Sequence, residues 1–268
     1  MIKMERKVLL ILFDGMRPDS IETCGDRGFL KKLFQSGSYS LEGKTVFPPI
    51  TLPVHMSLFY SVQPDVHGTL DNIHVPLKKE LTGLVEHLTE SGKTFAFFYT
   101  WEELRDICIP GNHLSFSWYM GQHVFPFPEL ERRETEAAII HIREYEPDIV
   151  FLYLGGADEA GHLNGWMSEE YLQAVRDESS CVERILKDLP ESYSVIITAD
   201  HGGHEYTHGD MIPEDMNIPI ALIGSDFPAG KRIKEAGILD LAPTISELLG
   251  IDPCDTWEGK SLIHVEAV

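Results

Sequence analysis

The stretch Asp200-His201-Gly-Gly-His204-Glu-Tyr-Thr-His208 places three histidines and an aspartate within nine residues. Imidazole and carboxylate without thiolate form a donor set that suits zinc, with manganese as the harder alternative. A second stretch, Asp158-Glu-Ala-Gly-His162, spaces an acid and an imidazole four residues apart. On a helix that spacing puts both on one face. Gly161 leaves a loop equally open, and either geometry allows a shared cation. A third acid, Asp14, ends the run VLLILF. One such acid alone reads as a turn former or helix cap, and one His-rich turn as a polar surface loop. Three acids closing apolar runs, two of them with histidines close behind, argue for a metal centre instead. The donors exceed what one tetrahedral ion uses, which implies two metals.

A nucleophile for such a centre lies in Phe47-Pro-Pro-Ile-Thr51-Leu-Pro53-Val-His55. Pro53 followed by VHMSLFYS reads as a helix start, with Thr51 at or just before the N-cap. A helix N-terminus offers free N–H groups and the positive end of the dipole, which favour an alkoxide or a phosphoryl group. A threonine there is ordinarily a cap. Beside two divalent ions its hydroxyl can be deprotonated and attack.

Five short apolar runs must carry these groups: residues 7–13, 94–99, 148–154, 193–198 and 218–223. Their hydrophobicity is continuous, as in strands buried on both faces of a parallel sheet. Amphipathic stretches between them predict helices over 26–35, 78–91, 129–145, 168–187 and 239–249. This alternation predicts one α/β domain over 1–268, a three-layer α/β/α sandwich with a mainly parallel central sheet. Ligands in such sheets bind at the carboxyl ends of strands, where Asp14, Asp158 and Asp200 fall. Residues 101–128, rich in aromatics, prolines and glycines, fit this pattern least. They read as a small insertion or cap, or as a long loop packed on the core.

The chain has 268 residues, with 43 acidic against 22 basic side chains and a net charge of −21. With 43% hydrophobic residues it has the material for a large core, which excludes disordered and disulfide-scaffold classes. The acidity argues against a nucleic-acid polymer or an anionic membrane as partner, because a phosphate-rich surface is repelled unless a local cation reverses the sign. Cys24, Cys108, Cys181 and Cys254 contain no CxxC pair and read as free thiols. The N-terminal apolar run is six residues long and lacks a cleavage site, and no segment approaches the roughly 18 apolar residues of a membrane span. The expected location is cytoplasmic.

The segments LFDGMRPD, FPPITLPVHMSLFYSVQPDVHGTLDN, GGADEAGH, TADHGGHEYTHGD and WEGKSL resemble the alkaline phosphatase superfamily. Within it they are most similar to the type I phosphodiesterases, or nucleotide pyrophosphatase/phosphodiesterases; 73–147 carries no resembling motif. The resemblance implies one zinc held by Asp14, Thr51, Asp200 and His201, and a second held by Asp158, His162 and His208. It implies that Asn72 hydrogen-bonds a phosphoryl oxygen. His204 matches no ligand of the family and reads as solvated or as supporting the ligands. Thr51-Leu-Pro53-Val-His55 lacks the arginine of the C/S-x-P-x-R motif, which argues against a sulfatase.

The expected activity is two-metal hydrolysis of a small phosphoric ester, preferentially a diester, through a phosphothreonine on Thr51. The backbone N–H after Thr51 would assist. A phosphomonoesterase, phosphonate hydrolase or phosphomutase of the same superfamily is the alternative. Monoester dianions call for added cationic contacts, for which Arg17, Lys44 and Arg105 are the candidates. A catalytically silent metal-binding scaffold is the third reading, weakened by the presence of every expected ligand.

Overall fold

A computed structural model describes residues 6–77, 81–107 and 115–265. Eight strands form one sheet: β1 (Lys7–Phe13), β2 (Ser38–Lys44), β3 (Phe95–Tyr99), β4 (Phe116–Tyr119), β5 (Ile149–Leu154), β6 (Tyr193–Ala199), β7 (Asn217–Ile223) and β8 (Lys231–Arg232). Their order is β4-β3-β5-β1-β6-β7-β2-β8. All five apolar runs are strands, within a residue of their expected ends. The sheet is mostly parallel, but β7 runs antiparallel to both β6 and β2. An apolar run buried on two faces reads the same in either direction, so sequence alone could not orient β7.

Three strands carried no apolar-run signal. β2 (SYSLEGK) mixes polarity and bulges between Ser40 and Gly43. At Gly43 an added Cβ would stand 2.7 Å from the Ile218 carbonyl oxygen, so the close approach of β7 requires glycine. β4 is a half-exposed edge strand drawn from the 101–128 region, and β8 has two residues. Cys108 lies outside the described residues.

The helices among the described residues are α1 (Ser20–Thr23), α2 (Phe29–Gln35), α3 (Thr51–Tyr60), α4 (Pro64–His67), α5 (Leu84–Glu90), α6 (Phe127–Tyr145), α7 (Gly156–Asn164), α8 (Glu169–Lys187), α9 (Pro213–Met216) and α10 (Leu241–Leu248). Departures from expectation occur at the ends. Asp26 lies two residues before the Gly28 N-cap rather than in the helix, its carboxylate accepting from the Phe29 and Leu30 amides at 3.0 and 2.7 Å. Ser168 caps α8 through the Tyr171 amide. The helix expected over 78–91 spans only Leu84–Glu90; residues 78–80 lie outside the described residues.

Helices cover both faces of the sheet. Phe59 of α3 packs on Phe97 and Phe151, each at 5.3 Å between ring centroids. His141 of α6 packs on Phe98 and Phe116. Adjacent residues of a strand point to opposite faces, so Phe97 and Phe98 put α3 and α6 on opposite sides. Every residue of α3 is buried, which explains a sequence that is apolar all round. Among the described residues no helix is long and apolar enough to cross a membrane.

Register brings the acids together. Phe13 pairs with Leu154 on one side and Ala199 on the other. Asp14, Gly155 and Asp200 therefore leave three adjacent parallel strands at one level, on the carboxyl edge.

Candidate metal centre

Asp14, Asp200 and His201 form one buried group and Asp158, His162 and His208 a second, each with its donor atoms within 4.8 Å of one another. In the first, His201 Nε2 stands 3.3 Å from Asp14 Oδ1, 3.5 Å from Asp200 Oδ2 and 3.4 Å from Thr51 Oγ1. In the second, Asp158 Oδ1 lies 3.5 Å from His162 Nε2 and 3.8 Å from His208 Nε2. α7 runs through Asp158 and His162, so the four-residue spacing is helical and the loop alternative falls. The His201 and His208 rings stack at 3.8 Å and join the two groups.

Each carboxylate of the first group has one oxygen anchored and one turned to the centre. Asp14 Oδ2 accepts from the Tyr153 hydroxyl, and Asp200 Oδ1 accepts from the Gly15 and His201 amides at 3.0 and 2.8 Å. The opposite oxygens, Asp14 Oδ1 and Asp200 Oδ2, are buried without any hydrogen-bond partner, as is Asp158 Oδ1. Orphaned carboxylate oxygens in a protein interior need a cation or a proton. The histidines are set the same way. The Nδ1–H groups of His201, His162 and His208 donate to the carbonyls of Gly202, Tyr206 and Pro49 at 2.7, 3.0 and 2.8 Å. In the neutral imidazole this leaves each Nε2 as the lone-pair nitrogen facing the carboxylates, the tautomer that a metal requires. Residues and geometry fit two divalent cations.

Electrostatics agree. Burial pushes Asp200 up to about 7. Burial, reinforced by Asp200, raises Asp14 well above the carboxylate range, and burial reinforced by Asp14 does the same to Asp158. Burial and the neighbouring His201 hold His208 down at about 2, so it stays neutral. The turn after β1 is shaped to the same end: Gly15 has φ +69°, and an added Cβ would stand 3.1 Å from the Asp158 side chain.

Thr51 departs from expectation. Ile50 is the N-cap of α3, and Thr51 is its first helical residue, buried with its hydroxyl toward His201. The Leu52 amide also differs: its N–H donates to Asn72 Oδ1 at 3.0 Å. The amide following Thr51 is thus taken by Asn72. His204 donates to the buried Asp215 carboxylate at 2.8 Å and stands 3.5 Å from Asp210. This third His/Asp group differs from the others, because Asp215 also accepts from the Asp210 amide and leaves no oxygen unpaired. It closes the loop that carries His201 and His208.

Several contributing residues were not legible in the sequence. Tyr153 reads as one more apolar strand residue. His55 donates to the Thr51 carbonyl at 2.8 Å and is held down at about 3 by burial. Glu131 and Glu178 accept from the Gly156 and Ala157 amides at 2.7 and 3.0 Å, beneath the turn that carries Asp158. On amphipathic helices both glutamates look solvent-facing, and only tertiary packing shows them buried. The three candidate cationic contacts are all engaged. Arg17 bonds Asp19 and the Gly203 carbonyl, Lys44 bonds Asn217, and Arg105 bonds Glu102.

A mixed sheet with helices on both faces and two His/carboxylate groups at its carboxyl edge agrees with an alkaline phosphatase-like fold. The chain belongs to the type I phosphodiesterase/nucleotide pyrophosphatase family, whose sequence profile matches residues 8–218. That match runs through 73–147, where no individual motif stands out. A 2,3-bisphosphoglycerate-independent phosphoglycerate mutase of Methanosarcina acetivorans is 32% identical over 142 residues, covering 51% of this chain and 27% of the mutase. The catalytic subunit of human GPI ethanolamine phosphate transferase 2 is 24% identical over 265 residues, covering 91% of this chain and 26% of the transferase. The chain thus spans about a quarter of the length of these curated relatives. Human ectonucleotide pyrophosphatase/phosphodiesterase 5 superposes with a TM-score of 0.79 at 16% identity, over 95% of this chain and 97% of that one, a likeness of fold.

Proposed function

We propose that the protein is a two-metal hydrolase of small phosphoric esters that prefers diesters and works through a phosphothreonine on Thr51. One observation carries the reading. Three buried carboxylate oxygens without partners face three imidazole Nε2 atoms, with the Thr51 hydroxyl among them. Asp14, Thr51, Asp200 and His201 would hold one ion and Asp158, His162 and His208 the other. Two zinc ions, or manganese in their place, would neutralise phosphoryl charge and lower the pKa of a coordinated hydroxyl or water.

Thr51 Oγ1 forms the bond to phosphorus as the ester bond opposite breaks, and the leaving alcohol takes up a proton. Water then cleaves the phosphothreonine, releasing the monoester and restoring the hydroxyl. The Asn72 side-chain NH₂ donates to a non-bridging phosphoryl oxygen while its Oδ1 stays on the Leu52 amide. His55 fixes the Thr51 carbonyl and Tyr153 fixes Asp14, so the nucleophile and a ligand are both pre-positioned.

The diester preference is supported by the engagement of Arg17, Lys44 and Arg105 elsewhere, which leaves none of these three for a dianionic monoester. The mutase relative favours the alternative, monoester phosphoryl transfer. Comparing hydrolysis of bis(p-nitrophenyl) phosphate with p-nitrophenyl phosphate by zinc-loaded protein separates the two; a faster monoester reaction overturns the diester reading. We further read the two helix sets as the outer layers of a three-layer α/β/α sandwich forming one domain over 1–268, with 101–128 as a small edge insertion. The free thiols of Cys24, Cys181 and Cys254 support a reducing, cytoplasmic location. The acidity of the chain supports a small-molecule ester as partner rather than a nucleic-acid polymer or a membrane.

A further inference from the structure

Ten large apolar side chains stand exposed among the described residues, and six of them flank the candidate ligands. Phe47 precedes Thr51 by four residues; Leu70 and Ile73 lie on either side of Asn72; Leu163 follows His162; Tyr206 and Met211 bracket His208. Their exposure runs from 49% at Phe47 to 71% at Met211. Hydrogen bonds draw these segments together around the centre: Leu52 N–H to Asn72, His208 to the Pro49 carbonyl and His162 to the Tyr206 carbonyl. β2, β5 and β6 all point their carboxyl ends at this edge, because β2 is antiparallel to β7, which is antiparallel to β6. Scattered exposed apolar residues are ordinary, but apolar residues on four separate segments around one polar centre mark a ligand-binding rim.

We infer that the esters accepted here carry an apolar group, alkyl or aryl, which packs on the rim formed by Phe47, Leu70, Ile73, Leu163, Tyr206 and Met211. This rests on the phosphoric ester hydrolase reading and names its substrate class. Charge favours the same occupant. The chain carries −21, and Arg17, Lys44 and Arg105 are committed to Asp19, Asn217 and Glu102. A polyanionic group such as a nucleotide polyphosphate meets no compensation from these cations, whereas an alkyl or aryl group loses only its unfavourable hydration.

The test is a series of alkyl p-nitrophenyl phosphate diesters, methyl to octyl, with zinc-loaded protein. Each methylene that reaches the rim should raise kcat/KM about four-fold, levelling off once the chain outgrows it. The double variant Leu70→Ser/Ile73→Ser, and separately Met211→Ser on another loop, should lower octyl-ester kcat/KM about ten-fold more than methyl-ester kcat/KM. Measurable methyl-ester turnover with a flat series overturns the inference and leaves the hydrolase reading intact. Failure to hydrolyse any member overturns both. Self-association in sedimentation velocity that the same substitutions abolish would assign the rim to a second copy of the chain and overturn the inference.

Discussion

Removing metal should make stability fall as pH rises, and restoring it should reverse that slope. Asp200 is fully buried and raised from the ordinary aspartate value of 3.8 to about 7. Between those values the metal-free native state binds more protons than the unfolded chain, so protonation stabilises it and deprotonation destabilises it. A shift of roughly three units corresponds to about 4 kcal/mol, of which roughly 2 kcal/mol is lost between pH 5 and 7. Asp14 and Asp158 are raised too and add in the same direction. Domains commonly have about 5–15 kcal/mol in all, so the effect is large. With zinc bound, the carboxylates are ligands and protons compete with the metal, so stability should rise with pH. The buried Glu131, Glu134 and Glu178 are also raised, but they belong to neither ligand group and therefore contribute to the slope of both curves. Urea midpoints at pH 5, 6, 7 and 8, with chelator and with zinc, isolate the centre as the difference between two curves. Parallel curves would show that these carboxylates do not face a metal site.

Other perturbations follow from single contacts. Thr51→Ala should lower turnover by about three orders of magnitude or more while costing only about 1 kcal/mol of stability, because its buried side chain caps nothing and loses one methyl and one hydroxyl; wild-type rates in a stopped assay would exclude a covalent threonine. Tyr153→Phe removes the donor to Asp14 Oδ2 and should weaken one of two zinc-binding steps by about ten-fold or more, read by chelator competition. His204→Ala strips a partner from buried Asp215 and should cost about 2–3 kcal/mol in urea unfolding; an unchanged midpoint would deny it that loop-closing role. His162→Ala should weigh most on esters with poor leaving groups, whereas Asp14→Ala should slow activated nitrophenyl esters as well. Identical leaving-group slopes for the two variants would contradict a division of labour between the ions.

The sequence by itself determined the strands that carry the acids and the edge at which they emerge. Short continuous apolar runs of six or seven residues suit strands covered on both faces, and each of Asp14 and Asp200 directly follows such a run. It also marked Asp158 and His162 as a pair, because a four-residue spacing is a local property of a helix. Pairing across the chain is another matter. His208 lies near His201 in sequence but joins Asp158 and His162, a grouping that the resemblance implied and spacing alone could not give, with its ring oriented by the hydrogen bond to the Pro49 carbonyl. The direction of β7 was open, since burial on two faces leaves no directional signal. Thr51 within its helix, the capture of the Leu52 amide by Asn72, and the anchoring by Tyr153, Glu131, Glu178 and Asp215 were likewise decided only by tertiary structure. A buried carboxylate and an exposed one are the same letter in a sequence. What separates them is the desolvation that the rest of the chain imposes, and that exists only once distant segments have packed.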